Sequence, residues 1–138
     1  MAHKVVLGVD FGEARIGLAI GDTGLRIALP LKTINARNSD PIQEIKKVVA
    51  ERGVDIIVIG MPLLLSGEKG RLAELVEEFA EKLRQEVDAE IVFWDERFTS
   101  VMAEDVIRQT GQKPSRRKHK VDMLAAHLIL QEYLNSIE

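Results

Sequence analysis

Three acidic positions stand out as candidates for chemistry. Asp10 closes the apolar run Val5 to Val9 and is followed by Phe11-Gly12. A carboxylate at the end of a strand lies at the sheet edge where α/β proteins commonly bind ligands. The second position lies in Asp95-Glu96-Arg97, directly after Ile91 to Trp94. Neighbouring side chains on extended backbone point to opposite faces, so only one of the two acids can share a site with Asp10. The third, Asp122, shares a helical face with Ala125, Ala126 and Ile129. Each has a plainer reading. Asp10 could cap a turn, Asp95-Glu96 could be a solvated strand end, and Asp122 could be an acid in the first turn of a helix. Together they form a set of hard oxygen donors. Such a set suits Mg2+ or Mn2+, not zinc. Two such ions can activate water and stabilise the leaving oxygen of a phosphodiester.

Next to Asp122 lies a dense basic run of Lys113, Arg116, Arg117, Lys118, His119 and Lys120. The whole chain carries a net charge of -3, so nucleic-acid contact must come from a local patch of this kind. Read from the sequence, it is a basic loop over residues 112–120. A solvated loop is the plain alternative. The stretch Leu63-Leu64-Leu65 could be core, a partner surface or a wedge against substrate. Trp94 and Phe98 flank the acidic pair and fit core packing better than stacking. The loop 61–70 lacks the Gly-Lys-Ser/Thr ending of a phosphate loop. There is no Gly-x-Ser-x-Gly for a serine hydrolase. With no cysteine, thiolate catalysis, disulfides and thiolate metal sites are excluded. The three histidines lack metal-site spacing.

These residues must be positioned by a small α/β scaffold. The 138 residues fit one domain, 1–138. Val5 to Asp10, Ile16 to Asp22 and Arg26 to Ile34 read as three strands joined as hairpins. Asp40-Pro41 reads as an N-cap with proline in the first turn, with Gln43 placed for a capping box and Gly53 as the stop. Asp55 to Gly60 is almost wholly apolar and reads as a central strand. Leu72 to Leu83 is an amphipathic helix. A strand over Glu90 to Trp94, a helix from Thr99 or Ser100 to near Gly111 and a last helix over about Val121 to Ser136 complete the order. The expected architecture is α/β: a mixed five-stranded sheet, three antiparallel hairpin strands then two parallel ones, flanked by helices. No secretory signal and no membrane span is legible, so a cytoplasmic location is expected.

Gly8-Val9-Asp10-Phe11-Gly12 with Arg15-Ile16-Gly17-Leu18-Ala19, then Gly60-Met61-Pro62, then Asp95-Glu96-Arg97-Phe98-Thr99-Ser100, then Lys120-Val121-Asp122 with Ala125-Ala126, resemble the YqgF/RuvX family in order and over nearly the whole chain. The resemblance implies an RNase H-like fold related to Holliday-junction resolvases. It implies a nuclease that acts on the 5′ end of the 16S rRNA precursor, with branched DNA as the alternative substrate. It gives Asp10, Glu96 and Asp122 as catalytic and metal-holding carboxylates and Arg15 as a phosphate contact. A ribosome or pre-ribosomal particle becomes an expected partner. Glu13-Ala14 and the leucines at 63–65 depart from the family's pattern, where Thr-Lys and a polar stretch are common. Two other classes compete. Asp-Phe-Gly after a first strand also resembles the phosphate loop of actin-like and sugar-kinase proteins, but those pair two such domains. A non-catalytic nucleic-acid or ribosome-assembly module is the other, and three retained carboxylates speak against it.

Overall fold

The computed structural model describes residues 3–64, 66–96 and 114–137, the backbone alone being considered for 114–121. Eight elements are described. They are β1 (Val5–Asp10), β2 (Arg15–Asp22), β3 (Ala28–Asn35), α1 (Pro41–Arg52), β4 (Ile56–Met61), α2 (Arg71–Arg84), β5 (Glu90–Asp95) and α3 (Pro114–Ser136). The sheet order is β3-β2-β1-β4-β5. β1, β2 and β3 pair antiparallel, while β1–β4 and β4–β5 pair parallel. The expected mixed five-stranded sheet is thus observed. The expected helix over residues 99–111 lies outside the described residues.

Alternation along the strands divides the core into two layers. Leu7, Val9, Ile16, Leu18, Ile57 and Ile59 face α1 and α2, packing with Ile45, Val48, Val76, Phe79 and Leu83. Val6, Ala19, Ile56 and Val58 face α3, packing with Ala126, Ile129, Leu130 and Leu134. β4 is buried along its whole length, which accounts for its unbroken apolar sequence. The α3 side is the thin one. A methyl group on Gly8 would meet Leu130 Cβ at 2.7 Å, and one on Gly17 would collide with the Asp122 backbone. Glycines inside these strands let the helix backbone lie directly on the sheet.

Local signals explain the helix ends. The Asp40 carboxylate accepts from Ile42 N (3.1 Å) and Gln43 N (3.4 Å), and Pro41 opens α1. The reciprocal half of the expected capping box is replaced. Gln43 Nε2 donates across to Glu86 at 3.4 Å, because α2's end lies within its reach. Gly53 takes the left-handed conformation (φ 63°) as the C-cap of α1.

α3 departs from the sequence reading in a way that matters. It starts at Pro114, not near Val121, so residues 114–120 form helical turns instead of a basic loop. Proline is favoured in a helix's first turn, and Ser115 to Lys120 contains no residue that breaks a helix. Asp122 therefore sits two turns in, beyond the reach of the helix-dipole explanation for an acid at a helix start.

Replacing Gly17 with alanine forces α3 away from β2 at Asp122. Gly17→Ala is expected to lower the unfolding free energy in urea by about 2–3 kcal/mol, the scale of an overpacked core.

Candidate active site

Asp10 and Glu96 reach the same spot through strand alternation. Val6, Gly8 and Asp10 lie on the α3 face of β1. On β5, Val92 and Trp94 pack into the α3 layer, so Glu96 follows on that face and Asp95 falls on the other. β4 runs between these two strands. Val9 is registered with Ile59, and Gly60 with Trp94. The position between Asp10 and Glu96 thus belongs to Gly60. A Cβ there would stand 2.6 Å from Glu96 Cδ and 2.8 Å from Glu96 Oε2. The absent side chain is the space the Glu96 carboxyl occupies. Asp95 is exposed and Glu96 is 7% exposed.

Asp10 and Glu96 are hydrogen-bonded to each other. Burial pushes the Asp10 carboxyl up to about 6; the hydrogen bond from Glu96 opposes this, and the charge of Asp122 adds to it. Burial pushes Glu96 up to about 10, reinforced by the charge of Asp10, by the hydrogen bond to Asp10 and by the charge of Asp95. At neutral pH the pair therefore shares a proton. Glu96 Oε2 is buried and has no hydrogen-bond partner among the described residues. A buried carboxyl oxygen without a partner carries a desolvation cost that a cation would remove.

Asp122 joins them from α3, placed over Gly17. Its Oδ2 accepts from Arg15 Nε at 2.7 Å, with the Asp122 side chain 14% exposed. Arg15 opens β2, close to the end of β1. The three carboxylates and Arg15 line one cleft of about 300 Å3, together with Glu13, Phe11, Pro62, Leu63 and Leu72. The expected convergence of the three acids is thus seen at the level of the cleft. As the side chains stand, however, no group of three acids or histidines among the described residues is arranged to grip one ion. Asp122 is turned to Arg15 instead.

The remaining candidates are placed less fully. Lys113 and Arg97 lie outside the described residues. Arg116, Arg117, Lys118 and Lys120 belong to the first two turns of α3, on the helix that carries Asp122. Trp94 is a packing residue. Its ring meets Tyr133 edge-on at 5.9 Å, and its Nε1 donates to Glu132 at 2.8 Å. Sequence reasoning missed Gly60 and Gly17, the two residues whose lack of side chain makes room for Glu96 and for α3. A glycine inside an otherwise strand-like run was the available signal.

Residues 4–136 match the family model RuvX, described as Holliday junction resolvase.

The chain belongs to the RuvX family.

Curated relatives carry the name "Putative pre-16S rRNA nuclease". That of Chloroflexus aurantiacus is 44% identical over 137 residues, covering 99% of this chain and 90% of its own. That of Fusobacterium nucleatum is 38% identical over 134 residues, covering 96% and 97%. The solved structure of Thermus thermophilus RuvC aligns with a TM-score of 0.54 at 12% identity, over 96% of this chain and 95% of that one. T. thermophilus RuvC in complex with Holliday junction substrate gives 0.55 at 15% identity, over 96% and 94%. These two establish the RNase H-like fold of this chain, and its family makes it a nuclease.

The raised carboxyls tie stability to pH. Below about pH 3 both are protonated in the folded and unfolded chains alike. Above it the unfolded chain sheds protons that the folded chain still holds, so the stability they contribute is lost as pH rises through about 6 for Asp10 and about 10 for Glu96. Without divalent ions the melting temperature is expected to fall between pH 5 and pH 8. Asp10→Asn should flatten that fall, as followed by circular dichroism.

Proposed function

We propose that this chain hydrolyses phosphodiester bonds with a divalent ion, Mg2+ or Mn2+, held by Asp10, Glu96 and Asp122. The observation that carries the reading is the buried Asp10–Glu96 pair with an orphaned Glu96 oxygen. All the donors are hard carboxylate oxygens, which match these ions. When bound, such ions supply a nucleophile at neutral pH and neutralise charge on the leaving oxygen.

The chain's own residues do the rest. With a divalent ion in place, the pair would give up its shared proton to solvent, and Asp10 and Glu96 would hold the ion with oxygens presented from two strand ends. Arg15 holds Asp122 in reserve at 2.7 Å. A substrate phosphate competes for the same guanidinium, since Arg binds phosphate as it binds carboxylate. Arg15 turning to phosphate releases Asp122 toward the other two acids. The basic residues Arg116, Arg117, Lys118 and Lys120, with Lys113 before them, steer the phosphate backbone to the cleft.

The substrate assigned is the 5′ end of the 16S rRNA precursor, cut in the cytoplasm on the free RNA or on a pre-ribosomal particle. Support comes from the relatives' shared name at up to 44% identity over almost the full chain. Branched DNA is the second reading, favoured by the family's description as Holliday junction resolvase.

The test is cleavage of precursor rRNA and of a four-way DNA junction with Mg2+ or Mn2+. Cutting of the rRNA at its 5′ side is expected, with loss of at least about a hundredfold in rate for Asp10→Asn and Glu96→Gln. Substrate binding should persist in both variants. Absence of metal-dependent cutting of either substrate would reject the reading. Arg116→Ala and Lys118→Ala should each lower the slope of log binding constant against log salt by about one, measured by anisotropy.

A further inference from the structure

The cleft lining is chemically mixed. Arg15, Asp10, Glu13, Glu96 and Asp122 are its charged residues, and Phe11, Pro62, Leu63 and Leu72 its apolar ones. Leu72 is 38% exposed, so the apolar lining is open to solvent there. A leucine turned to water beside a charged site is not explained by the packing of α2, whose core-facing residues are Ala73, Val76, Phe79, Ala80 and Leu83.

The apolar lining is also fixed relative to the acids. Met61 O, at the end of β4, accepts from Leu63 N at 3.0 Å and from Glu96 N at 3.1 Å. One carbonyl therefore sets the spacing between the Leu63 backbone and the Glu96 backbone. Beyond it the loop closes on itself through Leu64 N to Glu68 O (2.9 Å) and Gly67 N to Leu64 O (2.7 Å). Gly70, just before α2, leaves room for Leu64, whose Cδ2 would stand 3.2 Å from a Cβ there. The wall is built on hydrogen-bonded backbone.

We propose that this wall is a nucleobase subsite, and that Leu63 and Leu72 hold the base of an unpaired nucleotide of single-stranded RNA next to the bond that is cut. This rests on the nuclease reading of the carboxylates given above. The sugar–phosphate backbone cannot lie on the leucines without losing its hydration, so it must follow Arg15. The base of a nucleotide whose phosphate meets Asp10 and Glu96 is then left facing Pro62, Leu63 and Leu72. Contact with an apolar side-chain face is tolerant of base identity, because every base has a π-face. A cleft of about 300 Å3 has room for one nucleotide. Pairing the base to a complement would remove it from the wall.

The experiment uses single-stranded RNA spanning the 5′ boundary of the 16S sequence, in the presence of Mn2+. Each nucleotide flanking that boundary is replaced in turn by an abasic one, and a further arm pairs the boundary with a complementary strand. For the wild-type chain, one abasic position is expected to raise KM about tenfold, and pairing should suppress cutting to a similar degree. Leu72→Ser and Leu63→Ser should each raise KM for the intact RNA while making the enzyme indifferent to that abasic position. Leu72 is exposed enough to be changed without loss of fold, which keeps the test open should Leu63→Ser unfold. The same substrates are titrated by anisotropy against Asp10→Asn. Cutting that ignores the abasic position and pairing, or leucine variants that keep the wild-type sensitivity, would overturn the subsite while leaving the nuclease reading in place. Base-dependent binding with no cutting by the wild type would retain the subsite and reject that reading. No base dependence in either assay would reject the subsite whether or not cutting occurs.

Discussion

Two carboxyls are held against each other where neither can be fully hydrated, and the rest of the site is arranged around that contact. Asp10 and Glu96 sit at the ends of β1 and β5, on the same face by alternation, with Gly60 of β4 between them. The sheet register cannot relax without unpairing the central strands. The like charges are relieved instead by a shared proton, with Asp10 raised to about 6 and Glu96 to about 10. A divalent ion would relieve them better, because it also satisfies the buried Glu96 Oε2.

α3 depends on the same economy of side chains. It can bring Asp122 to the cleft only because Gly17 offers no Cβ, and it packs down the sheet over Gly8. Arg15 then neutralises Asp122 at 2.7 Å. The site as it stands is a dyad with a third acid held apart. On the proposed function, that division would give Arg15 two anionic partners to choose between, a carboxylate on its own chain and a phosphate on substrate. The apolar part of the cleft lining includes Leu63, whose backbone is placed by the carbonyl of Met61 that also fixes Glu96.

Much of this was legible in the residues. The hairpin strands, the buried β4 and the ends of α1 follow from alternation, an all-apolar run, and the Asp40, Pro41 and Gly53 signals. That only one of Asp95 and Glu96 could face Asp10 followed from strand alternation. The start of α3 was not legible, because charged residues at 116–120 suit a solvated loop and a helix equally well until the sheet beneath is known. The role of Gly60 was hidden for a similar reason. A glycine at the end of a strand reads as punctuation, and only cross-strand register shows that its missing side chain is the room for Glu96. Likewise, nothing in the run Leu63-Leu64 told core from cleft wall, and Leu63 is both: it packs against the core layer under α1 and α2 and lines the cleft.

The central claim is that the proton on the Asp10–Glu96 pair stands where a divalent ion belongs. Calorimetric titration of the metal-free protein with Mn2+ at pH 7, repeated in buffers of different ionisation enthalpy, counts the protons released on binding. The account predicts saturable binding with release of about one proton per site, and loss of that release in Glu96→Gln. Binding that releases no proton, or no binding at all at millimolar Mn2+, would contradict it.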